Sequence, residues 1–101
     1  MHIHSAYFWL RDPDSDADRQ VFEEGLALLA TDPNISVARW GRPADTTHRD
    51  VVEGSYHYGT SFMFDDLGSH NRYQTSPVHA RFVAECGPLW ARVDVTDLET
   101  G

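Results

Sequence analysis

Cysteine is almost missing: the chain holds one, Cys86, so no internal disulfide can form and a reducing compartment suits it. Positive charge is scarce as well. Eight basic residues face 16 acids, for a formal charge of −8 with histidines neutral. Counterion release needs a basic surface, so this balance argues against nucleic acid and anionic membranes as partners. The sequence has no long apolar run. Its start, MHIHSAYFWL, has no basic n-region and is too short for a signal or a membrane span, which predicts a soluble cytoplasmic protein. Repeats, low-complexity tracts, phosphate loops and dinucleotide fingerprints are absent too, and with them the nucleotide-driven chemistries.

What remains is a 101-residue chain with 41% hydrophobic residues, the size of one domain over 1–101 with a modest core. IHSAYFWL (3–10), followed by the turn RDPDSD, reads as a strand with both faces substantial. Ile3, Tyr7 and Trp9 lie on one face; His4, Ala6, Phe8 and Leu10 lie on the other. Ser15 caps a helix in which Val21, Phe22, Gly25, Leu28 and Leu29 follow at helical spacing, and Asp32-Pro33 closes it.

ISVARW (35–40) is a second strand, GRPADTTHRD a polar loop, and YHYGTSFMF (56–64) a third strand with Tyr56, Tyr58, Phe62 and Phe64 on one face. Asp65 or Asp66 caps a short helix. Ser76 and Pro77 restart a helix that Gly87-Pro88 ends, since proline at the first helical position loses no hydrogen bond. RVDVTD (92–97) alternates as a fourth strand. The order βαββαβ predicts an α+β, ferredoxin-like fold: a four-stranded antiparallel sheet with its helices on one face. The aromatics Tyr58, Phe62 and Phe64 are expected to leave an apolar sheet face that one chain cannot cover, hence a homodimer through that face.

The ordered set His4 in HSAYFWL, then WGRPADTTHRDVV, then FDDLGSHNRYQTSPVHARFV, then LWARVDVTD, resembles the stress-responsive α/β-barrel family, Dabb, over nearly the whole chain. The resemblance implies ferredoxin-like units that pair sheet against sheet into a dimeric α+β barrel. It also implies a role for YQTSPVH: Tyr73 and His79 match a tyrosine and a histidine that act in plant polyketide cyclases of this family, where they promote an aldol closure without metal or cofactor. The chain departs from the common pattern at Ser76, where a histidine is frequent, and this weakens any transfer of substrate preference.

The chemistry so implied is coherent. Carbon flanked by carbonyls is acidic enough for a histidine base, and a phenol can donate to the oxygen that gains charge. The same resemblance places His4, Ala6, Phe8, Val21, Phe22, Gly25, Ser61, Trp90 and Val93 around a small pocket between sheet and helices, suited to a small, mostly apolar carbonyl compound. Blander readings stay open at these positions: Tyr73 as a core aromatic, His79 as a local hydrogen-bonding group, and Phe8, Phe22 and Trp90 as simple filling.

No histidine–carboxylate set falls at a recognised metal-ligand spacing, although His2 and His4 share a strand face and His57 and His70 could approach them. The expectation is no metal and no cofactor. The sequence therefore leaves three functions standing: a cofactor-independent cyclase or lyase using Tyr73 and His79, a non-enzymatic stress-linked ligand-binding or interaction protein, and a cofactor-independent monooxygenase.

Overall fold

The structure, a computed structural model, describes residues 1–101. Strand β1 spans His2–Leu10, helix α1 Asp16–Leu29, β2 Val37–Gly41 and β3 Tyr58–Phe64. Helices α2 (Leu67–Gln74) and α3 (Pro77–Cys86) follow, then a single 3₁₀ turn at Gly87–Leu89, and β4 spans Trp90–Glu99. The sheet is antiparallel with order β2-β3-β1-β4, the ferredoxin-like arrangement that the hydrophobic periods predict.

Each helix starts where its cap chemistry says it should. The Ser15 hydroxyl accepts from the Asp18 N–H at 3.1 Å, the Asp66 carboxylate from the Ser69 N–H at 2.7 Å, and the Ser76 hydroxyl from the His79 N–H at 3.1 Å. All three helices pack on one face of the sheet. The core there joins Phe8, Phe22, Tyr58, Phe62, Phe64, Tyr73 and Phe82, with Phe22 stacked on Tyr58 at 5.2 Å between ring centroids. Gly25 is where α1 meets α3: a Cβ at this position would run into Cys86 Sγ.

One sheet-face expectation is overturned. Tyr58, Phe62 and Phe64 are each 0% exposed, covered by the chain's own helices, and are not available to a partner. Within β3 the alternation holds, but its sense is the reverse of the expected one, because period-2 patterning cannot say which face the helices take. Tyr56 is not in β3 at all. It precedes the strand and packs on the opposite side of the sheet, edge to face with Tyr7 at 4.9 Å. Gly59 makes room for it, since a Cβ there would lie 3.2 Å from the Tyr56 ring.

The outer face instead carries a row set by strand register. Val37 pairs with Met63, Met63 with Ile3, and Ile3 with Leu98, which runs an apolar belt across all four strands.

Candidate functional site

The last turn of α2 and the first turn of α3 present Tyr73 and His79 to a cavity of about 320 Å³ over the helix-side face of β1 and β4. Ser76 is the hinge between them. Its hydroxyl accepts from the His79 N–H and donates to the buried Asp32 carboxylate at 2.6 Å, which ties the helix junction to the end of α1. Pro77 then starts α3 at once, so the two side chains converge although they stand at positions 73 and 79. Their ring centroids are 5.0 Å apart, edge to face, and the His4 ring lies 6.0 Å from that of Tyr73.

The polar tips of this pair are free. Neither the Tyr73 hydroxyl nor the His79 ring hydrogen-bonds to protein, and no buried side-chain polar atom lacks a partner, so both tips open on the cavity. The surrounding wall is mostly apolar: Ala6, Phe8, Leu29, Phe82, Trp90 and Val95. Such a cavity suits a small ligand with one or two polar groups to be fixed.

Burial pushes the Tyr73 phenol well above its ordinary value, with the Asp32 charge adding to the effect, so it stays a donor. Burial holds the His79 imidazole below its usual value, and the neighbouring His4 and His70 act in the same sense against an opposing Asp32. It is neutral at neutral pH, with a lone pair to offer a proton.

A second cluster forms the far wall. Asp97 Oδ1 accepts from His2 Nε2 at 2.8 Å and His4 Nδ1 at 2.7 Å, and His70 Nε2 lies 3.3 Å from His4 Nδ1. Sequence spacing put His2 and His4 on one strand face and left His70 as a residue that could approach them, but it did not point to Asp97, which the strand register His4↔Asp97 brings in. His57 does not join it. Its Nδ1 accepts from the Leu10 N–H at 2.8 Å, at the other end of β1.

A sequence profile of the stress responsive A/B barrel domain, Dabb, matches residues 3–100. The chain belongs to the Dabb family. Among solved structures, a protein of Arabidopsis thaliana superposes with a TM-score of 0.80 at 19% identity, covering 100% of this chain and 96% of that one. A Dabb protein with a ferredoxin-like fold from Mesorhizobium loti gives 0.78 at 21% identity, covering 98% and 95%. A hydroxynitrile lyase from Passiflora edulis gives 0.76 at 16% identity, covering 96% and 90%. At these identities the likeness is one of fold. No curated protein matches the chain.

Within this Dabb fold the expected pocket residues separate cleanly. His4, Ala6, Phe8, Trp90 and Val93 line the cavity with Tyr73 and His79. Four others do not. Phe22 and Gly25 are buried in the packing behind it, Val21 is exposed on α1, and Ser61 pairs with Ser5 and Arg39 on the outer sheet face. Thr60, one position earlier, is the β3 residue that reaches the cavity, and its hydroxyl accepts from the Ala6 N–H at 3.2 Å. Fixing the sense of the alternation in β3 would have found it.

Proposed function

We propose that this Dabb protein binds a small, mostly apolar carbonyl compound in the cavity and moves a proton at the carbon beside the carbonyl. His79 is the base and Tyr73 the hydrogen-bond donor to the oxygen that gains charge. The observation that carries this reading is the convergence of two unpaired polar tips, on rings 5.0 Å apart, at the rim of an apolar cavity. As the base removes the proton, the electron pair moves onto the carbonyl oxygen, where the Tyr73 phenol stabilises the enolate. An intramolecular aldol closure or a lyase step then proceeds from that enolate. That a Dabb-like fold in Passiflora edulis is a hydroxynitrile lyase supports the capacity of the scaffold for such chemistry.

The assembly proposed is a homodimer through the outer sheet face, with Val37, Met63, Ile3 and Leu98 at its centre. Leu98 is 59% exposed, an open end to an otherwise half-buried belt. Support comes from the neighbours in Thermobifida fusca and Bacteroides fragilis, both described as dimeric with a ferredoxin-like fold.

Calorimetric titration with an apolar 1,3-diketone tests the binding half. One site per chain is expected, weakened at least tenfold by Ala6→Phe, which fills the cavity. Binding unchanged by Ala6→Phe would move the ligand elsewhere, and no binding at all would overturn the reading.

A further inference from the structure

The far wall of the cavity holds three imidazoles and a carboxylate with one ligating atom each, all within 4.8 Å of one another. From this constellation we infer that His2, His4, His70 and Asp97 form a binding site for a divalent transition ion of the zinc class. The inference is independent of the proton-transfer reading.

Two of the separations already suit such an ion. Metal–nitrogen bonds of ~2.0–2.1 Å in a tetrahedral site put neighbouring ligand atoms ~3.3 Å apart. His4 Nδ1 and His70 Nε2 stand 3.3 Å apart, and His70 Nε2 and Asp97 Oδ1 3.6 Å. The two shorter separations, 2.7 and 2.8 Å, are hydrogen bonds from His4 and His2 to Asp97 that an ion would replace. Three imidazole nitrogens and one carboxylate oxygen, with no thiolate, are the donor set that zinc-like ions share.

The orientation of His70 strengthens the inference. Its Nδ1 lies 3.1 Å from Asn71 Oδ1, which can only accept, so this nitrogen carries the proton and Nε2 keeps its lone pair for the cluster. Such a partner on the outer nitrogen is what fixes a metal-binding imidazole. Phe64 seals the cluster from below, edge on to His70 at 5.4 Å, and excludes water from that side.

The surroundings favour entry of a cation. On the side away from the apolar cavity, the cluster borders a cleft lined by Met1, His2, Asp65, Asp66, Asp97 and Glu99, in which four carboxylates outnumber the one N-terminal ammonium. Asp66 is occupied as the cap of α2 but keeps its charge, so the mouth concentrates positive ions. The ion would join the start of β1, helix α2 and the end of β4. Four protein donors make a closed, structural site rather than an open catalytic one.

The test uses untagged protein beginning at Met1, stripped with EDTA and titrated with cobalt(II). Visible d–d absorption saturating at one equivalent per chain is expected, abolished by zinc in excess. His70→Gln and Asp97→Asn should each lose the bands while far-ultraviolet circular dichroism stays unchanged, and His57→Gln should keep them. Zinc should raise the unfolding temperature of the parent but not of His70→Gln. No band in the parent, or bands that survive His70→Gln, would overturn the inference. Since the readout is spectroscopic, its failure leaves the Tyr73–His79 proposal untouched, and the converse also holds.

Discussion

Ser76 stands between Asp32 and His79, donating to the carboxylate of one at 2.6 Å and accepting from the backbone N–H of the other at 3.1 Å. One hydroxyl therefore sets the start of α3 and the position of His79 relative to Tyr73. Removing it with Ser76→Ala should cost ~1–2 kcal/mol of stability, the usual loss for a cap. If the hydroxyl also positions the base, turnover of a carbonyl substrate should fall while its KM changes little. Chemical denaturation and steady-state kinetics on the same variant check both. A fall in KM-linked binding alone would place Ser76 outside the positioning role.

Phe62 and Ile3 separate folding from assembly. Phe62 is 0% exposed beneath Tyr73, with ring centroids 5.9 Å apart, so Phe62→Asp buries an unpaired charge and should prevent folding. Ile3 sits mid-belt on the outer face, between Met63 and Leu98. Ile3→Glu should leave a folded chain that sediments as a monomer, where the parent sediments as a dimer at micromolar concentration. A parent that is monomeric there would remove the dimer from the account.

Gly25 and Cys86 should show strong coupling. Gly25→Ala forces a methyl against Cys86 Sγ and should destabilise by ~1–3 kcal/mol, the range for overpacking. Cys86→Ala removes that sulfur and opens space, so the double variant should be more stable than the sum of the singles predicts. Additive losses would show that α1 and α3 adjust by other means. Burial also pushes the Cys86 thiol up to about 11, so alkylation should be slow in the folded protein and fast only after denaturation.

Stability should fall on acidification. Both His57 and His79 are held below the ordinary 6.5, each chiefly by burial, with Arg19 also lowering His57. The unfolded chain therefore takes up protons first as pH drops through 6.5, and more protons on the unfolded state means lost stability. The contribution is level above that pH and declines below it until the folded-state values are reached. His79→Gln should shrink this decline in denaturation curves recorded across the same range. An unchanged slope would show that His79 titrates alike in both states.

Much of this was legible from sequence, and what was not has a physical reason. Caps at Ser15, at Asp65 or Asp66, and at Ser76, with the proline at the start of α3, depend on local chemistry alone and locate the helices directly, and the structure chooses Asp66 of the pair. The break at Ser76–Pro77, also a local feature, separates the two helices that carry Tyr73 and His79. The faces of β3 were not legible in the same way: alternation gives two sets, and only packing on the helices chooses between them. Hence Thr60, not Ser61, reaches the cavity, and Phe62 is core rather than interface. The His2–His4–His70–Asp97 cluster was harder still, since it exists only through the register of β1 against β4 and the seating of α2.

The substitution pair at the site should split in size. His79→Ala removes the base and should lower turnover at least a hundredfold, the scale of general-base contributions. Tyr73→Phe keeps the ring against Phe62 and Phe64 and loses one hydrogen bond, so turnover should fall by ~10-fold with the fold intact. Equal losses from both would point to a shared structural defect, which circular dichroism would register.

Most direct of all is the rate at which the protein exchanges the acidic carbon-bound proton of an apolar 1,3-diketone for solvent deuterium, followed by proton NMR. It needs no knowledge of the natural substrate. The parent should accelerate exchange well beyond the buffer rate, His79→Ala should return it to that rate, and His48→Ala, in the loop before β3 and outside the cavity lining, should match the parent. Exchange at the buffer rate in the parent, or acceleration that survives in His79→Ala, would contradict His79 as the base.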